Sequence, residues 1–142
     1  MLAQLTVFLE NEKGRLAAVC RAISDAGSNM HTLVVADTAD FGVARMLCDN
    51  PEACAETLRQ QGWRAAVSPV LGVRVPNVPG GLATMLEFLA ACDVNVEYGY
   101  CITLSDDSAV DIFKVSDDGT VEARLEQAGF EIVAPEDIYT IG

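Results

Sequence analysis

The sequence predicts an α+β protein built from two copies of one βαββαβ unit. Three observations lead to this prediction: strand-like and helix-like hydrophobic spacings alternate, glycines and prolines separate them, and the order of segments repeats once within 142 residues. Hydrophobic residues make up 51% of the chain, which is typical of a packed globular protein. A unit of about 70 residues buries only about 60% of its unfolded surface, so we expect the two units to share an interface.

The first half begins with a predicted strand at 2–9, LAQLTVFL, which ends at the polar stretch 10–14. Apolar side chains then recur at the i, i+3, i+4 and i+7 spacing of one helix face, at Leu16, Val19, Cys20 and Ile23. Gly27 is a suitable C-terminal cap. The spacing of apolar residues therefore changes from that of a strand to that of a helix after the stretch 10–14, and the helix is expected to end near Gly27.

A hairpin and a second helix complete the first half. Residues 29–37 and 41–48 are predicted strands joined by a turn around 38–40. Asp49 or Asn50 can cap the next helix, whose first turn suits Pro51. That helix is expected to end at Gly62, before a strand that begins at Trp63.

The second half repeats this order. When Gly14 is aligned with Gly80, a single inserted residue later brings Trp63 onto Phe130, and helix faces and breakers stay aligned throughout. The first predicted domain is 1–69 and the second is 70–142, joined without a long linker. After Pro135, the segment Asp137–Ile141 is predicted to add one edge strand.

Composition limits the function. The formal net charge of -12 disfavours nucleic acid and anionic membrane surfaces as partners, and no apolar run reaches the about 20 residues of a spanning helix, so we expect a cytoplasmic protein. The five cysteines form no C-x-x-C pair and are expected to be reduced core residues rather than disulfides or zinc ligands. They are Cys20, Cys48, Cys54, Cys92 and Cys101.

A βαββαβ unit of this size is expected to fold in the ferredoxin-like manner, as an antiparallel sheet with both helices on one face. The segment 73–96, VRVPNVPGGLATMLEFLAACDVNV, resembles the opening strand, loop and helix of an ACT domain. The segment 5–30, LTVFLENEKGRLAAVCRAISDAGSNM, is similar but has Lys13 where Pro79 stands. The chain therefore resembles a free-standing tandem pair of ACT domains.

This resemblance implies a regulatory module that binds a free amino acid where the first loop of one ACT domain meets the second strand of another. The loop pattern carries over to one set of second-half residues, and more weakly to the first half. The second-half residues are Asn77, Pro79, Gly80 and Leu82, with Asn95 and Val96 on the second strand. The first-half residues are Asn11, Gly14 and Leu16, with Asn29 and Met30 on the second strand.

The chemistry of an amino acid gives this loop an independent rationale. Backbone N–H groups of Gly80, Gly81 and Leu82 at a helix start are expected to be unpaired and can bind a carboxylate, and the helix dipole favours an anion there. The Asn77 amide oxygen and strand carbonyls near Asn95 can accept from the ammonium group. The alternative is structural: the asparagines only cap helices or make turns, and the glycines only form the turn.

The residues needed for catalysis are missing. His31 is the only histidine, and a structural role is the favoured interpretation. The pairs Asp106-Asp107 and Asp117-Asp118 fall at predicted turns or a helix start, which favours solvated or capping roles over a metal site. There is no Walker A loop, G-x-S-x-G elbow or dinucleotide fingerprint, so we expect a non-enzyme without metal or cofactor.

Two other functions remain open. The strands at 32–36 and 101–104 are apolar on both faces, which suits a protein-interaction module without a small ligand. An enzyme would have to use Cys101 or His31. We also expect a homodimer, since such strands need more cover than two helices provide. The loop fixed by Pro79 is expected to bind more tightly than the loop containing Lys13.

Overall fold

The computed structural model describes residues 1–37, 40–103, 108–117 and 119–142, with Thr103 and Ser108 described by their backbone alone. The chain forms two compact units. The N-unit consists of Ala3–Ser68 and Pro135–Gly142, and the C-unit consists of Met1–Leu2 and Pro69–Ala134. The division into domains at residues 69 and 70 stays a prediction.

The described elements follow the predicted order. They are β1 (Leu2–Glu10), α1 (Arg15–Asp25), β2 (Met30–Asp37), β3 (Phe41–Cys48), α2 (Pro51–Gln60), β4 (Arg64–Pro76), α3 (Gly81–Ala91), β5 (Val96–Thr103), β6 (Ser108–Val115), α4 (Val121–Gln127), β7 (Glu131–Ile132) and a 3-10 helix (Pro135–Asp137). Strand β4 is continuous from Arg64 to Pro76, so the last strand of the first repeat runs directly into the first strand of the second.

The N-unit has the antiparallel strand order β2-β3-β1, with Met46 of β3 opposite Leu5 of β1 and Leu33 of β2. One face of these strands packs against α1 and α2, because alternate strand residues and one stripe of each helix are apolar. The buried residues of this core include Leu5, Val7, Leu9, Val19, Ile23, Ala44, Met46, Cys54 and Leu58. Ala65 and Val67 of β4 also pack against it.

The C-unit has the strand order β7-β4-β6-β5, which is antiparallel throughout. Helices α3 and α4 cover one face, as α1 and α2 do in the N-unit. The buried core residues include Leu71, Val73, Val75, Met85, Leu89, Ala109, Phe113, Val115, Val121 and Leu125. Each unit therefore has the predicted ferredoxin-like arrangement, and the α+β prediction is confirmed.

The predicted edge strand at Asp137–Ile141 is wrong. After the 3-10 helix, the chain makes hydrogen bonds to polar groups before α2 instead of forming a strand. The Thr140 N–H donates to Asp49 Oδ1 (2.7 Å) and the Gly142 N–H donates to Asn50 Oδ1 (2.6 Å). In a strand, these two backbone N–H groups would donate to a neighbouring strand, whereas here they donate to side-chain oxygens.

This contact also changes the expected helix cap. Asn50 occupies the N-cap position of α2, but it has φ 47° and its side chain makes no capping hydrogen bond to the described first turn. Its amide oxygen instead holds Gly142, and its N–H donates to the Thr140 carbonyl at 2.7 Å. The residue type predicted the position of the cap but not its partner.

The cysteines are free thiols, as expected, but they are not all core residues. Cys48 and Cys54 are buried, and Cys20 and Cys92 are half-buried. Cys101 is exposed, so its prediction as a core residue is wrong: it lies on β5, which pairs on one side with β6 and ends the strand order of the C-unit.

The longest described helices, α1 and α3, have 11 residues each. No helix in the described part of the chain is both long and apolar enough to cross a membrane.

Candidate functional site

The loops before α1 and α3 have the same backbone conformation. Gly14 has φ 87° and ψ -8°, and Gly80 has φ 85° and ψ -7°, a left-handed conformation that glycine adopts without steric cost. An added Cβ at either glycine would meet no described heavy atom within 4 Å, so the space beside both helix starts is open.

Hydrogen bonds within the second loop use one of the predicted ligand donors. The Gly81 N–H donates to the Val78 carbonyl at 3.1 Å, so the prediction that it is unpaired is wrong. The Thr84 N–H (3.0 Å) and hydroxyl (2.9 Å) both donate to the Gly80 carbonyl. Among the described residues, no hydrogen bond is seen for the N–H groups of Gly80 and Leu82, and these two remain candidate carboxylate donors.

The structure places the other predicted second-half residues at two distant positions. Asn77, Pro79, Gly80 and Leu82 are exposed at the start of α3. Asn95 and Val96 follow the end of this 11-residue helix, which spans about 16 Å at about 1.5 Å per residue. Within the C-unit, the two groups are therefore not brought together.

The backbone of Asn95 is already engaged: its N–H donates to Ser116 Oγ and its carbonyl accepts from the Ser116 N–H, both at 2.9 Å. In the N-unit, Asn11, Gly14 and Leu16 lie at the start of α1, whereas Asn29 and Met30 follow its end. The Asn29 carbonyl accepts from the Asp49 N–H at 3.0 Å. These bonds fit the structural alternative for Asn29 and Asn95.

A cleft of about 500 Å³ opens beside the start of α3 in the C-unit. It is lined by Arg74, Val75, Pro76, Gly81, Thr84, Gly129, Phe130 and Glu131. Of the predicted site residues, only Gly81 is among these. The sequence prediction missed the contribution of the turn between α4 and β7.

A smaller cleft, of about 150 Å³, lies at the matching place in the N-unit. It is lined by Phe8, Leu9, Glu10, Arg15, Phe41, Gly62, Trp63 and Arg64. The internal repeat relates most of these positions to lining positions of the larger cleft, among them Arg15 to Gly81 and Trp63 to Phe130. The repeat could have revealed the correspondence of the two clefts from the sequence.

The two clefts differ in their charged residues and in whether a side chain covers the aromatic ring. In the N-unit, the Arg15 guanidinium carbon lies 4.5 Å from the centre of the Trp63 ring, and Arg15 Nε is buried without a hydrogen-bond partner in the described chain. Arg64 lies over the Phe8 ring at 5.6 Å. In the C-unit, Gly81 has no side chain to place on Phe130, and Arg74 Nε forms an ion pair with Glu131 Oε1 at 3.4 Å.

His31 has a structural partner. Its Nε2 lies 2.8 Å from Asp49 Oδ1, the oxygen that also accepts the Thr140 N–H. The Thr140 N–H and His31 hold the pKa of Asp49 below its usual range. This geometry supports the structural interpretation of the histidine.

The acidic pairs give no cluster suited to a metal among the described residues. Asp117 Oδ1 accepts from the N–H groups of Gly119 (2.9 Å) and Val121 (3.3 Å), as expected of a turn and capping residue. Asp106, Asp107 and Asp118 lie outside the described residues, as do Thr38 and Ala39 of the predicted turn and Leu104 of the predicted strand.

Comparisons with known proteins agree with this architecture. A family profile described as "ACT domain pair" matches residues 1–141. The crystal structure of a protein from Bacteroides thetaiotaomicron is similar, with 31% identity, a TM-score of 0.89, and coverage of 96% of this chain and 94% of that one.

More distant structures share the fold. The regulatory subunit of aspartate kinase from Thermus thermophilus has 18% identity and a TM-score of 0.65, with 89% of each chain covered. The corresponding subunit from Thermus flavus has 19% identity and a TM-score of 0.56, covering 87% of this chain and 88% of that one. No curated protein sequence matches the chain significantly.

Proposed function

Because the chain belongs to the ACT domain pair family, we propose that it is a regulatory, non-catalytic module that binds a free amino acid. The observation behind this proposal is the repeated helix start, in which Gly14 and Gly80 adopt one conformation and leave open space on the side where a Cβ would stand. The first N–H groups of these helices are the candidate donors. Such donors, at the positive end of a helix dipole, suit a carboxylate.

The proposed site combines two ACT domains. The N–H groups of Gly80 and Leu82 bind the ligand carboxylate, and the second strand of another ACT domain, at the positions of Asn95 and Val96, contacts the ammonium group and side chain. Since these residues lie at opposite ends of α3 in their own unit, one unit cannot supply both halves of the site. The site therefore depends on association between ACT domains.

We propose that the protein is a homodimer. Strand β2 ends the strand order of the N-unit and exposes 41% of Leu33 and 46% of Val35. Unpaired strand edges with apolar side chains favour association with another chain. Light scattering at micromolar concentration should give twice the chain mass of 15.1 kDa, and a stable monomer would contradict this part of the proposal.

A ligand screen tests the proposed function. Each of the twenty amino acids is added separately to the full chain, and the melting temperature is measured, because a ligand that binds only the folded state raises it by mass action. Isothermal titration calorimetry then gives the affinity and the number of sites. We expect a small set of amino acids to bind, and silence in both measurements would reject the proposal.

The second candidate is an assembly module that binds a protein and no small ligand. The exposed apolar residues Leu33, Val35 and Phe41 of the N-unit favour it. A silent ligand screen, together with capture of a single protein whose binding is lost in Leu33→Asp, would favour this function over amino-acid binding.

A further inference from the structure

The C-unit cleft adjoins the helix start of the proposed amino-acid site, and it carries an inference that does not depend on binding at that helix start. We propose that it binds small molecules that contain a guanidinium group. The observation that leads to this is internal: at the matching place in the N-unit, the chain's own guanidinium, from Arg15, lies over the Trp63 ring at 4.5 Å.

The equivalence of the two clefts rests on their lining. The alignment that places Gly14 on Gly80 also places Arg15 on Gly81, and beyond the inserted residue the segment 62–64 falls on 129–131. Both units therefore have an aromatic ring at this position, Trp63 in the N-unit and Phe130 in the C-unit. Only in the N-unit does the chain itself place a cation, Arg15, over the ring. A cation over an aromatic face is favoured by the ring quadrupole.

The absence of a side chain at Gly81 has a local cause. A Cβ at this position would overlap the Pro76 carbonyl oxygen, so the close approach of the β4 end to α3 requires glycine. The resulting cleft of about 500 Å³, against about 150 Å³ in the N-unit, leaves room for an external group where Arg15 stands in the other copy.

Charge supports a cationic ligand. Position 131 carries a carboxylate where the N-unit has Arg64, and 69% of the Glu131 side chain is exposed, so it can accept a second cation besides Arg74. The chain's net charge of -12 also raises the local concentration of cations. The guanidinium group of Arg74 can also pair with a ligand carboxylate. The site therefore accommodates guanidinium compounds that carry a carboxylate as well as those that lack it.

Calorimetry on the full chain tests this assignment with three probes: L-arginine, agmatine and L-citrulline. Agmatine keeps the guanidinium group but lacks a carboxylate, so it cannot use the helix-start site of the proposed function. Citrulline has almost the same shape as arginine without the guanidinium charge. We expect agmatine to bind at this cleft, arginine to displace it, and citrulline to displace it at least tenfold more weakly; equal displacement of agmatine by citrulline would overturn the inference.

Variants locate the binding. Phe130→Leu keeps apolar volume against Phe88, whose ring centre lies 5.6 Å from that of Phe130, but removes the aromatic face. It should weaken agmatine binding at least tenfold, as should Glu131→Gln, in protein whose circular dichroism is unchanged. Agmatine binding that survives both variants would overturn the assignment to this cleft, whatever the outcome of the screen of the twenty amino acids.

The N-unit provides a matched test because Trp63 is the only tryptophan in the chain. In the unchanged protein, agmatine should bind without altering Trp63 fluorescence. In the double variant Arg15→Ala/Arg64→Glu, the Trp63 ring is uncovered and a carboxylate stands at the position equivalent to Glu131, so agmatine should now change the fluorescence and occupy a second site. A fluorescence change in the unchanged protein, or none in the folded double variant, would contradict the equivalence of the two clefts.

Discussion

The carboxylate of Asp49 joins His31 to the C-terminal segment, since its Oδ1 lies 2.8 Å from His31 Nε2 and accepts the Thr140 N–H at 2.7 Å. Both contacts favour the charged carboxylate and lower the pKa of Asp49. His31, Asp49 and Thr140 are far apart in the sequence, so one side chain fixes three parts of the N-unit.

This contact predicts that stability falls in acid. A carboxyl whose pKa is lower in the folded state contributes stability that is present above its unfolded pKa, near 3.8 for Asp49, and is lost as pH falls through the folded value. Asp49→Asn should therefore lower the free energy of unfolding at pH 7 and reduce its decline in acid. Urea titrations at several pH values measure this, with the exposed Asp25→Asn as control.

A second pH effect of opposite sign is predicted for Asp111. This side chain is only 2% exposed, its Oδ2 has no hydrogen-bond partner among the described residues, and burial raises the pKa of the carboxyl. The raised pKa means that its stability contribution is present in acid, below its unfolded value, and is lost as pH rises through the folded value. We therefore expect the Asp111 carboxylate to destabilise the C-unit at neutral pH.

The repeat suggests the replacement. Ala44 aligns with Asp111 when Trp63 is placed on Phe130, and it is a fully buried core residue of the N-unit. Asp111 itself lies opposite Val73 of the C-unit core. Asp111→Ala should raise the free energy of unfolding at pH 7 by about 1–3 kcal/mol, the usual cost of a buried unsatisfied polar group. The gain should shrink in acid, whereas a loss of stability at pH 7 would show that the carboxylate has a partner in solution.

A third prediction concerns the attachment of the C-terminal segment. The hydroxyl oxygen of the buried Tyr139 accepts the Ala3 N–H at 2.8 Å. Tyr139→Phe removes the acceptor and leaves this N–H unpaired, so the free energy of unfolding should fall by about 1–3 kcal/mol. Hydrogen exchange of the Ala3 amide gives a local readout, and unchanged protection would show that the hydroxyl does not hold this strand.

The sequence was sufficient for those features that depend on periodicity. The helix stripe from Val19 to Ile23 and the repeated glycines at 14 and 80 predicted the elements, because spacing and backbone conformation are local properties. The C-terminal segment was mispredicted because its apolar, β-branched residues favour a strand, whereas its conformation depends on acceptors of Asp49 and Asn50 far away in sequence.

The candidate site was predictable only in part, for the same reason. The Gly80 conformation follows from local sequence, but the bond from the Gly81 N–H to Val78 depends on the path of the loop. The lining of each cleft depends on which residues, from turns far away in the sequence, pack beside a helix start. Arg15 and Trp63 become neighbours only through the fold, and the repeat alone linked them to Gly81 and Phe130.

The last prediction compares the two helix-start loops. Gly80→Val places a branched side chain in the open space where the proposed ligand carboxylate binds. Each lost charge-assisted hydrogen bond costs about 1.5–3 kcal/mol, so affinity for the amino acid found in the screen should fall about tenfold or more. Titration calorimetry measures it, on protein shown by circular dichroism to be folded.

Gly14→Val is the matched control, because Gly14 (φ 87°) and Gly80 (φ 85°) share a conformation that strains valine equally. Both variants should lose similar stability in urea titration. The loop with Pro79 should bind more tightly than the loop with Lys13, so Gly80→Val should remove most of the binding and Gly14→Val little of it. If folded Gly80→Val binds as the unchanged protein does, the carboxylate does not bind at this helix start, and both glycines serve only to turn the chain.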